Sequence, residues 1–303
     1  MTQPASVAHP LGPPTVSGTS ITVDTMLNQA TRITRMIMDL SLQRFIADRV
    51  FTSGGGVTGG AVLYDEAILN ELYANRDVER VAPGEEFPVI TSDRQVPKVA
   101  AVEKWGGKVW ISDEARDRNN VAAFTNQVRQ LTNTIVRKIN AIAVATLEAS
   151  ITASGQSVAG RNWSTATPTG PDAGQTTAQN MPLRDFALAA RMAEEDELGV
   201  SYNLWIMNPQ EYYNLIIAHG SIGNLNAVLS SQGISIYVSN RVAAGTAYVV
   251  GGQQVGEMRI EKPLGSETWR EPARQRTWLQ ADVRPVMFVI NPYAVLKFTG
   301  LAG

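Results

Sequence analysis

The stretch NVAAFTNQVRQLTNTIVRKINAIAVATLEAS, residues 120–150, decides the fold class. Val121, Phe124, Val128, Leu131, Ile135, Ile139 and Ile142 recur at spacings of three and four, the period of one helix face. Asn120 suits the N-cap, and the pattern predicts a helix to about Ser150, about eight turns at 3.6 residues per turn. The apolar stripe is narrow, and the other face carries Asn126, Gln127, Arg129, Gln130, Asn133, Arg137 and Lys138. A coiled coil is one partner for such a stripe. The repeat stops after about four heptads and the chain turns Gly-rich, so a helix lying across one sheet is the expectation.

On the C-terminal side, residues 152–182 are rich in Ser, Thr, Gly and Pro, with Trp163 the single aromatic. They read as a long loop, and such loops are functional or mobile. Helical patterning returns at Leu183, Phe186, Ala190 and Ala193 and stops at Gly199, a good C′ residue. A buried strand is predicted at Tyr202 to Met207. It runs into Asn208-Pro209-Gln210-Glu211, with Asn208 as N-cap, Pro209 at the first helical position and Glu211 placed to reach back to the cap. The next helix carries Tyr212, Leu215 and Ile216. Short strands follow at Ile234–Val238, Ala247–Val250 and Val255–Ile260, and Thr277–Phe298 reads as two strands joined by Asn291-Pro292.

On the N-terminal side, Ala61 to Trp110 reads as long strands around a polar turn at Pro83-Gly84-Glu85-Glu86, with Gly106-Gly107 interrupting the Val- and Trp-rich stretch 96–111. A hairpin of about 45 residues with so few large apolar side chains does not fold alone. It must lie on something, either its own chain or another copy. The segment SGGGVTGG, residues 53–60, reads as a flexible joint. A phosphate-cradling loop would need a Gly-Lys-Ser/Thr ending or a dinucleotide fingerprint, and neither is present. Asp24 opens a helical pattern through Met26, Ala30, Ile33, Ile37 and Leu40. Residues 1–23 hold no periodic apolar face and read equally as a disordered tail or as an arm ordered on a neighbour.

Composition narrows the function. The 303 residues, 44% hydrophobic, suffice for one large domain or two modest ones. Lys plus Arg count 26 and Asp plus Glu 28, a net charge of −2 without the basic excess of a tight nucleic-acid binder. Near-neutral charge also lets like subunits approach. With no Cys, disulfides, zinc-thiolate sites and thiol nucleophiles are excluded. Residues 1–20 lack the basic and apolar regions of a secretory signal, and no apolar run nears the roughly 20 residues that span a bilayer. The expectation is a soluble intracellular product with no membrane partner. The two histidines are His9 and His219, and no Gly-x-Ser-x-Gly elbow accompanies them. His219 precedes Gly220 and reads as a helix-end residue rather than a metal ligand. The acidic groups Glu85-Glu86, Asp113-Glu114 and Glu194-Glu195-Asp196-Glu197 read as solvated or structural. The six Trp read as core or interface anchors. No catalytic residue, cofactor or metal site is expected.

This order of parts resembles the major capsid proteins of tailed double-stranded DNA bacteriophages, the Hong Kong 97-type fold. Four stretches carry the resemblance. They are the Gly-jointed hairpin Ala61–Trp105, similar to the family's extended loop; Trp105–Ile142, with its acidic Ser112-Asp113-Glu114 turn and long helix; LWIMNPQEYYNL, residues 204–215; and GISIYVSN, residues 233–240, followed by Gly245–Val250.

The resemblance implies an α+β chain divided into an N-terminal arm and helix (1–52), an extended loop or E-loop (53–105), a peripheral domain with a spine helix (106–150), an axial domain (151–270) and C-terminal strands returning to the peripheral domain (271–303). It implies a homo-oligomer of pentamers and hexamers in an icosahedral virion shell, assembled in the host cytoplasm. The partners expected with it are a separate scaffolding protein, a portal, a decoration protein and weakly held double-stranded DNA. Tyr64, Tyr73, Arg76, Arg80, Glu85, Glu86, Phe87 and Arg94 become candidates for contact between subunits. Arg32, Arg35 and Arg44 become candidates for inner-face DNA contact, although these and Arg49 equally suit pairing with acids or solvation. Some family members cross-link through a Lys in the extended loop. No Lys lies between Ala61 and Pro97, and Lys98 sits at the loop's base, so no such bond is expected. Two other readings stay open: an encapsulin-type compartment shell, and a soluble α/β enzyme.

Overall fold

The computed structural model describes residues 45–68, 78–90, 97–118, 120–167 and 176–302. The expected arm and the helix opening at Asp24 lie outside these. In chain order the elements are α1 (Ala47–Val50), β1 (Thr52–Gly56), β2 (Ala61–Tyr64), β3 (Lys98–Ala101), β4 (Trp105–Ser112), α2 (Asp113–Asp117), α3 (Val121–Ser154), β5 (Ser157–Ala159), α4 (Pro182–Glu195), β6 (Leu204–Met207), α5 (Pro209–Ala218), α6 (Ile222–Ser231), β7 (Ser235–Val238), β8 (Thr246–Val250), β9 (Gly256–Glu271), β10 (Arg276–Val289) and β11 (Val295–Thr299). They form a four-stranded sheet in the order β1-β9-β10-β4, a five-stranded sheet β5-β11-β8-β6-β7, and the ribbon β2-β3. The chain clusters into two units. One contains 103–138 and 260–285, and the other contains 46–102, 139–259 and 286–303.

In the first unit, β4 runs antiparallel to β10, from Trp105 opposite Val283 to Ser112 opposite Arg276. Thr277, Leu279, Ala281 and Ile111 are buried on one face, as period-two alternation requires. The predicted apolar stripe is the buried stripe of α3, with Phe124, Val128, Leu131 and Ile135 all below 8% exposed. Gly107 lets helix and sheet approach, since a Cβ there would lie 2.8 Å from Leu131 Cδ1. The helix is thus the sheet-backed one expected. The acidic turn is structural: Ser112 Oγ accepts from Ala115 N at 3.2 Å and caps α2. Arg270 Nη2 donates to Asp113 Oδ2 at 2.6 Å, and that bond holds the Asp113 carboxyl below its ordinary range.

In the second unit the five-stranded sheet is mixed. β8 is antiparallel to both β11 and β6, whereas β5 and β7 are parallel additions at the edges. All four residues of β6 are buried. Trp205 anchors an aromatic cluster, with ring centroids 4.4 Å from Phe186, 5.3 Å from Phe298 and 6.2 Å from Trp163. Asn208 caps α5 as expected, accepting from Gln210 N at 3.0 Å, and its Nδ2 also donates to Val242 O at 2.9 Å.

Several expectations are corrected. Residues 152–182 are not simply a loop: α3 continues to Ser154, β5 joins the sheet, and Trp163 is 1% exposed. Trp163 Nε1 and Arg161 N both donate to Asp185 Oδ2, at 2.8 and 2.9 Å. Glu211 does not reach back to its cap. It is fully buried, and its Oε1 accepts from Gly245 N at 2.7 Å. The joint at 53–60 is half strand, because Thr52–Gly56 pairs with β9. Only Gly59 and Gly60, with φ of 96° and 78°, make the turn that follows. β9 is 16 residues long where a short strand was expected, because Pro263 and Gly265 mask its continuity in the sequence. Residues 271–303 divide between sheets, β10 beside β4 and β11 beside β8.

Candidate inter-subunit surface

The ribbon β2–β3 pairs Ala61 with Ala101, Val62 with Ala100, Leu63 with Val99 and Tyr64 with Lys98. Alternation sends Val62 and Tyr64 to one face, where they meet Val286 and Phe288, with the Tyr64 and Phe288 rings 4.7 Å apart. Leu63 and Val99 face the other way, directly opposite each other, and are 68% and 67% exposed. An exposed apolar pair of that size on one strand face is a candidate contact surface. The base of the ribbon is fixed by the Glu66–Lys98 ion pair and by Ala67 N donating to Ile290 O at 2.6 Å. The hydrogen bond to Glu66 is the main cause of the raised Lys98 pKa.

Strand pairing in the ribbon is confined to these four residue pairs among the described residues, and of the long hairpin expected over 61–105, residues 69–77 and 91–96 lie outside the described residues. Residues 78–90 hold no strand and turn at Gly84, with φ of 93°. Glu85 Oε2 accepts weakly from Ala82 N at 3.4 Å. Arg80, Glu85, Glu86 and Phe87 are all exposed, Phe87 at 79%. Of the sequence candidates, these four stand at the surface, and Tyr64 already packs on its own chain. Tyr73, Arg76 and Arg94, and Arg32, Arg35 and Arg44, lie outside the described residues. Arg49 stacks on Tyr237, 5.8 Å from the ring centre. Leu63 and Val99 were missed because Ala61-Val62-Leu63-Tyr64 is apolar throughout and does not declare its outer face.

The first unit carries a second surface of note. Trp110 and Trp278 are opposite each other in the register, and Trp269 stacks on Trp278 at 6.2 Å. Arg276 lies 4.4 Å from the Trp278 ring and 5.6 Å from that of Trp110, with Lys108 4.4 Å over Trp278. Glu271 Oε2 accepts from Arg276 Nε at 2.8 Å and from Trp278 Nε1 at 2.7 Å. These bonds, Arg276 first, hold the Glu271 carboxyl below its ordinary range. Beside it lies an open cleft of about 280 Å³ lined by Lys104, Gly106, Gly107, Lys108, Gln280 and Asp282, with Lys262 Nζ donating to Asp282 at 2.9 Å. Among the described residues no group of three or more His, Cys, Asp or Glu is placed to hold a metal ion. No helix among them is long and apolar enough to cross a membrane. His219 ends α5, with Nδ1 2.8 Å from Leu215 O.

A family model described as phage capsid protein matches residues 95–298. A comparison with curated proteins finds no match. Among solved structures the chain is similar to the capsid of cyanophage P-SCSP1u, at 14% identity with a TM-score of 0.60 over 86% of this chain and 89% of that one. It is similar to a chain of Mycobacterium phage Bobi, at 10% identity and a TM-score of 0.58 over 86% and 89%. It is also similar to a virus-like particle from Pyrococcus furiosus, at 11% identity and a TM-score of 0.56 over 88% and 98%. With a two-sheet α+β architecture, a long helix and a model match over most of its length, the chain belongs to the phage capsid protein family and has the Hong Kong 97-type fold, a structural shell component.

Proposed function

We propose that this chain is the major shell subunit of a tailed phage, forming pentamers and hexamers that enclose double-stranded DNA. The observation that supports this best is the ribbon. Its inner face packs on the chain's own body, whereas Leu63, Val99 and Phe87 remain exposed. Such a ribbon gains partner atoms when it lies across an adjacent copy, and repeated weak contacts add around a shell. In this reading the ribbon is the extended loop, the unit of the four-stranded sheet is the peripheral domain, and the unit of the five-stranded sheet is the axial domain. Scaffolding protein, portal and decoration protein are separate chains. DNA contact is weak and nonspecific, and assembly takes place in the host cytoplasm.

Electron microscopy and sedimentation of the purified chain test this: closed megadalton shells are expected, and a small discrete oligomer rejects the reading. Boiled in detergent, the shells should give one band near the chain mass of 32.8 kDa; a ladder of covalent multimers contradicts the expected lack of cross-links. The likeness to the Pyrococcus furiosus virus-like particle supports a compartment shell as the second reading. Nuclease-protected DNA inside the particles separates the two.

A further inference from the structure

The outer face of α3 differs from that of a helix turned to water. From Val121 to Leu147 the helix contains no Asp or Glu, in a chain of net charge −2. Its charged residues over that length are Arg129, Arg137 and Lys138. At 3.6 residues per turn, Asn126, Arg129, Gln130, Asn133 and Arg137 fall within about 100° of arc, opposite the buried stripe and over about 16 Å of axis. All five are exposed. Lys138 stands at the flank, its Nζ 4.4 Å over the Trp105 ring. Arg129 and Arg137 make no ion pair or hydrogen bond among the described residues. A water-facing helix normally mixes both signs and pairs them at i,i+4. α4 does so, with Arg191, Glu194 and Glu195 exposed and Arg191 paired with Glu195. The strands that share a unit with α3 also pair their charges, Lys262 with Asp282, Arg270 with Asp113 and Arg276 with Glu271.

An interface with another protein needs apolar area at its centre. From Phe124 to Ser154 no large hydrophobic side chain is exposed. Arg together with Asn, Gln and Thr is instead the set that contacts phosphate oxygens, and Thr134 is exposed beside the other five. We propose that this face of α3 meets the phosphate backbone of the double-stranded DNA that the shell encloses. This rests on the shell reading above. Acids are absent because each would stand against a phosphate, and the two guanidinium groups stay open because their partner is not part of the chain. Two or three cations neutralise few phosphates, so the contact ignores sequence and is released by salt.

The test is DNA binding by the purified full-length chain, measured with a short double-stranded fragment across a salt series. The slope of log affinity against log salt should shrink by about one for each of Arg129→Gln and Arg137→Gln, and by about two for the pair. Arg137→Lys keeps the charge and should keep the slope. Arg191→Gln on α4 should leave it unchanged. Circular dichroism checks folding, and electron microscopy checks shells, which all these variants should still form. No binding by the wild-type chain overturns the proposal, as does a slope that the paired change leaves intact. Lost shells with unchanged DNA binding overturn it too, and assign the face to a neighbouring subunit or another protein. If the wild-type chain forms no shells, the shell reading itself fails, and that result is read separately from the salt slope.

Discussion

The tryptophan surface of the four-stranded sheet and the face of α5 and α6 invert what their compositions suggest. Trp110, Trp269 and Trp278 are the residues a reader would pick as contact anchors. Yet Arg276 lies over the rings of Trp110 and Trp278, Lys108 lies over Trp278, Trp269 stacks on Trp278, and Glu271 occupies the Trp278 Nε1 and the Arg276 guanidinium. The plainer helical face has no charge of its own and leaves Tyr213 and Ile217 uncovered. Exposed aromatic area is thus a poor guide unless one asks what the chain has already placed on it.

The largest effect expected within a subunit is at Trp205. Truncation to Ala should cost about 3–5 kcal/mol by urea unfolding, the usual range for a buried aromatic, because the side chain is fully buried among Phe186, Trp163 and Phe298. Tyr213→Ala in the same unit should change subunit stability by no more than about 0.5 kcal/mol, as surface changes do. If Tyr213→Ala destabilises the isolated subunit as Trp205→Ala does, α5 is turned into the core and the comparison breaks. Asp185→Ala should follow at about 2 kcal/mol, the cost of leaving buried donors unmet, since it strips Trp163 Nε1 and Arg161 N of their acceptor. A neutral result there shows that Trp163 is held by packing alone. Trp110→Ala should cost about 1 kcal/mol or less, the scale of one exposed cation–π contact. It should leave shell yield unchanged, and lost assembly with normal stability would restore the tryptophan surface as an interface.

The smallest effect is acid sensitivity. Glu148 feels burial, which raises its pKa, but the bonds from Lys297 and Tyr248 outweigh burial and leave it below the ordinary 4.5. A carboxylate depressed by folding binds its proton more weakly in the native state. Its stabilisation is therefore complete above pH 4.5 and fades as pH falls through the lower folded value. With Glu148 40% exposed, solvent screening limits this to about 1 kcal/mol. Lys297→Met should flatten that part of the stability profile, and an unchanged acid limb would remove the pair from the account.

What the sequence revealed was local. The stripe of α3, the cap at Asn208 and the helix end at His219 are written in spacings of three or four residues and in single capping side chains. What it hid was long-range. Nothing near Trp163 announces Asp185, 22 residues away, and the capping-box position of Glu211 suggested a local bond when its partner is Gly245. The ribbon was half legible: its lack of core was readable, but the outward turn of Leu63 depends on the register with Val99. From Leu198 to Gly256 only Glu211 and Arg241 are charged, and that scarcity was open to view from the start. Which of its side chains face outward needed the exposure of Tyr213 and Ile217, because an uncharged run reads equally well as buried core.

The position of β11 has a consequence for timing. It lies between β5 and β8 in the five-stranded sheet, and Phe298 stacks on Trp205, with Leu296 and Leu301 sealed beside it. It is also the last of the five strands to be synthesised. A nascent chain therefore holds an open groove in this sheet until residues 295–301 have cleared the ribosome. The five-stranded sheet, and any surface built on it, therefore cannot be completed before residues 295–301 have emerged.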